Sequence, residues 1–241
     1  MRKIALTILS YFFILSVSSA QIWLEVGPKA SFGPSGYLNS TIANDAKHDY
    51  SLNLAYNFGA AIGINIGDVH GINIEGLWGT YFQDITSHPM PDMTLRNVVE
   101  WEVFDIYTLY RFYPESGMYL ELGSKFTQIQ DLSQREGVVE LDVKGMYEDS
   151  YISGVIGVGA FLSGSKILVI KSGLRFEYGI TDFVSAAGVE QGFPLFKSDL
   201  GGDPGKTTPF RVSFGIEISF GVGGVAQSSC GRRGFVLGGR Y

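Results

Sequence analysis

The segment that decides the fold reads Phe-Arg-Val-Ser-Phe-Gly-Ile-Glu-Ile-Ser-Phe, from Phe210 to Phe220. Its even-numbered positions are all large and apolar, whereas its odd-numbered positions are polar or glycine. Because successive side chains of a strand point to opposite faces, this segment predicts a strand with one apolar and one polar face. The polar face carries Arg211 and Glu217, which a dry core accommodates only at a high cost. The pattern therefore favours a strand whose apolar face meets lipid and whose polar face lines a closed interior.

Similar alternation recurs along the chain in eight segments. They cover approximately residues 22–33, 50–66, 71–84, 98–113, 117–130, 150–164, 166–181 and 208–220. Short connections at 67–70, 114–116 and 165 alternate with long ones at 34–49, 85–97, 131–149 and 182–207. Short periplasmic turns and long external loops are typical of outer-membrane barrels. We therefore predict an all-β fold, an eight-stranded antiparallel up-and-down transmembrane β-barrel.

Two strands depart from a regular barrel pattern. Pro28 lies inside the first strand and cannot donate a ladder hydrogen bond, so either a bulge or a local gap in pairing is expected there. The sixth strand is ambiguous, because Val155 and Phe161 fall on the face assigned to the interior.

The two ends of the chain predict export and a tail. Residues 1–20 have the positive start, the apolar stretch and the small residues of a secretory signal peptide, with cleavage before Gln21. The alternative is a membrane anchor helix, but the apolar stretch is shorter than the roughly 20 residues that such a helix needs. We predict a signal peptide at 1–20, a barrel at 21–220 and a C-terminal tail at 221–241, in a bacterial outer membrane.

Composition narrows the possible partners and cofactors. The chain is 45% hydrophobic and 14% aromatic, which suits a barrel with aromatic girdles at the membrane interfaces. Its net charge of −6 argues against a nucleic-acid partner. The single cysteine, Cys230, excludes an internal disulfide and a cysteine-based metal cluster. We expect no cofactor.

Charges can be assigned to the inner face by placing the bulky apolar residues of each strand outward. The inward set then contains Glu25, Glu75, Asp105, Glu121, Glu177, Glu217, Lys29, Arg111, Lys125, Lys171, Arg175 and Arg211. Six acids balance six bases, as a closed interior requires, because an unpaired buried charge is expensive. A soluble lipocalin-like barrel would reverse the two faces. Since an eight-stranded barrel is just wide enough to be filled by side chains, we predict a lumen plugged by paired charges.

No motif in the chain predicts catalysis or metal binding. The stretch 201–207 resembles a phosphate loop, but Leu200 stands where the first glycine belongs and no helix pattern follows. His48, His70 and His88 lie at unrelated spacings. The acidic residues of 131–149 fit a solvated loop better than the ligand spacing of a calcium loop. We predict no catalytic, cofactor or metal site, and no enzyme.

Three stretches resemble a known family. Val26-Gly27-Pro28-Lys29-Ala30, the run from Asp105 to Pro114, and Tyr119-Leu120-Glu121-Leu122-Gly123 are similar to Bacteroidota outer-membrane β-barrel proteins of the PorT-like kind, small barrels of OmpA type. The resemblance implies an eight-stranded outer-membrane barrel, and no catalytic residue carries over. Such barrels often end at a terminal aromatic residue, whereas this chain continues past Phe220. Residues 235–241 offer another terminal aromatic.

These observations predict a structural, adhesive or envelope-associated role, with the external loops as the interaction surface. Two alternatives remain open: a narrow pore or transporter of small hydrophobic molecules, and a lipid-modifying enzyme of the outer membrane. The expected partners are outer-membrane lipid and lipopolysaccharide, together with an envelope or extracellular protein. We expect the barrel to be a monomer.

Overall fold

The computed structural model describes residues 22–44, 48–90, 93–114, 116–136, 139–165, 167–194 and 205–222. The strands are β1 (Ile22–Asn39), β2 (His48–Ile66), β3 (His70–Met90), β4 (Met93–Phe112), β5 (Met118–Glu136), β6 (Val139–Asp142), β7 (Ser150–Gly164), β8 (Leu168–Gly179) and β9 (Thr207–Gly221). Two short helices, α1 (Ser40–Ala43) and α2 (Ala186–Glu190), and a 3₁₀ turn (Lys144–Met146) lie in the connections. In these ranges, no helix is both long and apolar enough to cross a membrane. The predicted signal peptide, residues 223–241 of the predicted tail with Cys230, and residues 201–204 of the phosphate-loop-like stretch lie outside the described residues.

Eight of these strands close into a ring. Each ring strand pairs antiparallel with the next along the chain, and β9 closes the ring against β1. Among the described strands, β6 pairs with β5 alone, above the ring. The predicted fold class, an all-β eight-stranded antiparallel up-and-down barrel of transmembrane type, is confirmed.

The register fixes how steeply the strands tilt. Ladder partners followed once around the ring lead through Ile22, Ile66, His70, Phe112, Leu120, Val158, Leu174 and Phe214 to Phe32. The path returns to β1 ten residues further on, which for eight strands corresponds to a tilt of about 40°. Such a barrel leaves an interior that side chains can fill.

The outer face of the ring is an apolar wall. Seven ring strands carry an outward aromatic residue near the loop-side end of their apolar stretch: Phe32, Tyr56, Trp78, Phe104, Phe126, Tyr178 and Phe210. We call these seven residues the aromatic girdle. Beyond Phe104 and Phe126, the next outward residues are Glu102 and Gln128, so the apolar wall ends at the girdle on β4 and β5.

Several strands rise further above this wall than the sequence pattern predicts. Strands β2 to β5 have 19 to 21 residues, whereas β7 and β8 have 15 and 12. The prediction of long connections at 34–49, 85–97 and 131–149 is therefore wrong in part, because much of each stretch is strand. In the extensions of β4 and β5 the outward positions, such as Thr94, Arg96 and Arg135, are polar, so the apolar outward face of the wall does not continue into them.

The irregularity expected at Pro28 is a gap in pairing. On the β9 side, Val26 pairs with Phe220 and the next rung joins Lys29 to Glu217, in unchanged register. A Cβ at Gly27 would lie 1.7 Å from the carbonyl oxygen of Ile218. Glycine is therefore required for the close approach of β1 and β9 beside the proline.

Candidate functional site

All twelve charged residues assigned to the inner face lie inside the barrel, and none is more than 6% exposed. They come from β1, β3, β4, β5, β8 and β9. Strands β2 and β7 present smaller inward residues at the same levels, among them Gly63 and Gly157. A Cβ at Gly157 would lie 3.1 Å from both Arg175 and Glu121, so this glycine leaves room for the long charged side chains.

Eight of the charges form one connected group near the short-turn end, which we call the lower ionic layer. Its members are Glu25, Lys29, Glu75, Arg111, Glu121, Lys171, Arg175 and Glu217. Arg175 lies at its centre, because its guanidinium donates to Glu75 at 2.6 Å and to Glu121 at 2.7 Å. The guanidinium of Arg111 forms ion pairs with Glu121 at 2.7 Å and with Glu217 at 2.6 Å, and so links these two carboxylates. Lys171 then links Glu217 to Glu25 across the closure of the ring.

The other four charges form the upper ionic layer, which consists of Asp105, Lys125, Glu177 and Arg211. Lys125 Nζ donates to Glu177 at 2.7 Å and lies 5.0 to 5.8 Å from the ring centres of Tyr81, Tyr107 and Tyr151. Arg211 is less well paired, since its closest carboxylate oxygen, on Glu177, is 3.9 Å away. The hydroxyl of Tyr81 accepts a hydrogen bond from Arg211 instead.

Each ionic layer is electrically neutral when its side chains are ionised. The lower layer has four acids and four bases, and the upper layer has two of each. Neutrality matters because a single uncompensated charge in this environment costs several kcal/mol, of the order of 3–5. Two voids among these side chains measure about 10 Å³ each, which is room for about one water molecule. The layers therefore close the lumen.

Above the upper layer, the connections fold over the barrel mouth and bury an apolar core. We call this core the cap cluster. Its connection residues are Ile42, Val143, Tyr147, Phe183, Val184 and Phe193, and its barrel residues include Tyr37, Tyr81, Ile85, Trp101 and Tyr151. The ring centre of Phe183 lies 4.8 Å from Tyr147 and 5.4 Å from Trp101. The sequence reasoning missed this cluster, although large apolar residues in the connections were a usable signal.

The outer surface of the loop end is acidic. Among its described residues, ten acidic side chains are exposed or half-exposed: Asp49, Glu100, Glu102, Asp131, Glu140, Asp142, Glu148, Asp149, Asp182 and Glu190. Only four basic ones accompany them, namely Arg96, Arg135, Lys144 and Lys206. Partial burial and neighbouring acids raise the pKa of the Glu100 carboxyl. Because the ionic layers are neutral, the negative charge of the described barrel is concentrated at this end.

Two histidines make contacts at opposite ends of the barrel. His88 lies 3.3 Å from Asp49 and 3.4 Å from Thr94, in an exposed position at the loop end. His70 contacts the hydroxyl of Tyr110 at 2.6 Å near the short turns. Within the described ranges, no group of three or more His, Cys, Asp or Glu side chains could hold a metal ion.

Comparisons with known proteins find distant structural similarities. No protein-family model and no curated protein matches the chain. Among solved structures, it is similar to the outer membrane protein OprG from Pseudomonas aeruginosa, with 11% identity, a TM-score of 0.42, and coverage of 83% of this chain and 95% of that one. For Neisserial surface protein A, the identity is 12% and the TM-score is 0.40, with coverage of 81% of this chain and 96% of that one. For Ail, the attachment invasion locus protein of Yersinia pestis, the identity is 9% and the TM-score is 0.38, with coverage of 82% of this chain and 98% of that one.

At these identities and TM-scores, the comparisons carry no argument about function. The resemblance to PorT-like barrels of Bacteroidota stays a prediction.

Proposed function

We propose that this protein is a non-conducting barrel of the bacterial outer membrane with a structural or adhesive role. The closed lumen is the observation that carries the proposal. Two neutral ionic layers fill the interior, and the cap cluster covers them on the loop side. A barrel closed in this way acts through its outer surfaces.

The outer wall supports the membrane location. Leu54, Ile156 and Leu122 are each about 60% exposed on it, which water would penalise and lipid would not. Lipid and the acyl chains of lipopolysaccharide are the partners that such a wall requires. In this proposal the protein is exported and monomeric, with its loop end outside the cell and its short turns in the periplasm.

The loop end is the proposed interaction surface. The cap cluster anchors its connections, so the surface is preorganised, which lowers the entropic cost of binding. Its excess of carboxylates favours a cationic partner, such as a basic protein of the envelope or of another cell. Nucleic acid, as a polyanion, is disfavoured.

The first test of this function is electrical. The full-length protein, inserted into planar lipid bilayers, should give no unitary conductance steps, because the voids within the ionic layers hold about one water each. A porin inserted in the same way is the positive control. Sustained conductance steps would favour a narrow pore and reject the closed lumen.

The second test addresses the acidic surface. Fluorescent polylysine should bind the protein in nanodiscs of neutral lipid, and a Glu100→Gln, Glu102→Gln, Asp131→Asn variant should bind it about tenfold more weakly. Asp68→Asn is the matched control, since Asp68 is an exposed acid in the short turn at the opposite end. Equal losses in the two variants would remove the loop end as the cationic partner's site.

A further inference from the structure

A sheet at the loop end rises above the ring and has an unpaired edge. It consists of the upper parts of β2, β3, β4 and β5, with β6 as its outermost strand. The order of pairing ends at β6, and the other edge of β6 faces no strand among the described residues. We call it the free edge of β6. Because an unpaired strand edge is a template for backbone pairing, the free edge is a potential docking surface.

The register of β6 decides which backbone groups point to the free edge. The N–H of Val143, directly after β6, donates to the carbonyl oxygen of Leu132 on β5 at 3.2 Å. Successive residues of a strand direct their backbone groups to opposite edges, so the odd-numbered residues of β6 bond to β5. The N–H and C=O groups of Glu140 and Asp142 therefore point to the free edge. In the part of the chain that the structure describes, these backbone groups have no hydrogen-bond partner.

The two faces of β6 differ in chemistry. On the inner face, Leu141 is half-buried against the cap cluster, whereas Val139 is 55% exposed. Glu140 and Asp142 lie on the outer face and are exposed. Glu140 forms an ion pair at 3.1 Å with Arg135, its ladder partner on β5. A strand added at the free edge would thus meet apolar side chains on its inner face and carboxylates on its outer face.

The acidic face continues across the sheet from the free edge. Asp142 is the ladder partner of Ser133, and Ser133 is the ladder partner of Glu100. Nearer the girdle, Glu102 and Asp131 are paired on the same outer face. The free edge therefore borders the acidic surface of the loop end, which attracts a cationic strand.

A second copy of this chain would be a poor occupant of the free edge. Two β6 edges paired with each other would bring Glu140 and Asp142 of one copy beside the same acids of the other. Like charges on opposite residues destabilise a strand pair, whereas opposite charges stabilise it. The same carboxylates therefore favour a partner strand that carries lysine or arginine at the facing positions.

We propose that the free edge of β6 is a strand-addition site for an extended, basic segment of a partner protein. The segment pairs antiparallel with Glu140 and Asp142, and its residues directly opposite them are lysine or arginine. The residues between these bases are apolar, and they cover Val139 and Leu141. This inference rests on the proposed function, in which the acidic loop end binds a cationic partner. It adds the conformation and the sequence pattern of that partner.

The test uses a short fluorescent peptide of alternating valine and lysine, with the full-length protein in nanodiscs of neutral lipid and empty nanodiscs as the blank. Two analogues of equal charge carry backbone N-methyl groups, one on its lysines and the other on its valines. In the proposed geometry the lysine N–H groups donate to β6, whereas the valine N–H groups point away. N-methylation of the lysines should therefore weaken binding, measured by fluorescence anisotropy, about tenfold. N-methylation of the valines should leave the affinity unchanged.

Two variants of Glu140 separate its charge from its backbone. Glu140→Gln removes only the carboxylate and should weaken binding of the unmethylated peptide about threefold. Glu140→Pro also removes the N–H at the free edge and should weaken binding about tenfold. Because β6 lies outside the ring, both variants should keep the heat-dependent gel mobility of a closed barrel.

The outcomes distinguish this inference from the proposed function. Absence of saturable peptide binding, equal binding of the two N-methylated analogues, or equal losses for Glu140→Gln and Glu140→Pro would each overturn strand addition. If polylysine still binds to the loop end in any of these cases, the proposed function stands without it. If neither polylysine nor the peptide binds, both are rejected. A dimer that Glu140→Pro dissociates would assign the free edge to a second copy and overturn the inference.

Discussion

Replacing Arg175 with methionine should lower the free energy of unfolding by about 3–5 kcal/mol, the cost of breaking a buried ion pair by removing one partner. The guanidinium of Arg175 holds two buried carboxylates, those of Glu75 and Glu121. Without it, the lower ionic layer has an excess negative charge and unsatisfied acceptors. Urea unfolding, followed by tryptophan fluorescence, measures the loss.

The matched control for this substitution is Arg135→Met. Arg135 pairs with Glu140, but both side chains are about half exposed, so the expected loss is below about 1 kcal/mol. The double variant Arg175→Met, Glu75→Gln restores neutrality and should recover part of the stability. Equal losses for Arg175→Met and Arg135→Met would show that the lower ionic layer is not a dry, paired interior.

A positive charge on the outer wall should be costly only at membrane depth. Leu122 of β5 is 63% exposed and lies within the apolar wall, so Leu122→Arg should cost about 2–4 kcal/mol in a bilayer. Gln128 faces the same way on the same strand, beyond Phe126, and Gln128→Arg should cost only about 0–1 kcal/mol. Reversible guanidinium unfolding in phospholipid vesicles gives both values. Two equal costs would mean that this wall does not face lipid.

Strand alternation was enough to predict which charges point inward, because side-chain direction depends only on position within a strand. The pairing of those charges was not predictable in the same way. Lys171 meets Glu25, 146 residues earlier in the chain, only because the ring closes with a displacement of ten residues. Glu217 and Arg211 both lie on β9, but six residues, roughly 20 Å along the strand, separate them. Glu217 therefore pairs with Arg111 and Lys171 and not with Arg211. Register, which alternation does not determine, decides these partners.

The loop end was less predictable than the wall. Its connections were predicted to be external loops, and residues 131–149 to be a solvated one, which leaves their large apolar residues unexplained. Ile42, Tyr147, Phe183 and Phe193 pack together in the cap cluster although they are far apart in the chain. Their large apolar side chains are a signal of burial, but local composition does not show which residues bury one another. The hydrogen bonds that Gln83 forms with Tyr37 and Ser51 depend in turn on where the β1–β2 ladder stops.

The long sequence separations within the ionic layers have a consequence for biogenesis. Arg175 and Glu75 are 100 residues apart, and Arg111 and Glu217 are 106 apart. A chain with such contacts has a high contact order, so these pairs across the lumen form only as the ring closes. Before then they remain hydrated, and a partly formed sheet has no low-energy way to enter the hydrocarbon region. Membrane insertion and ring closure are thereby expected to be coupled, and a chain truncated before β9 would complete neither step.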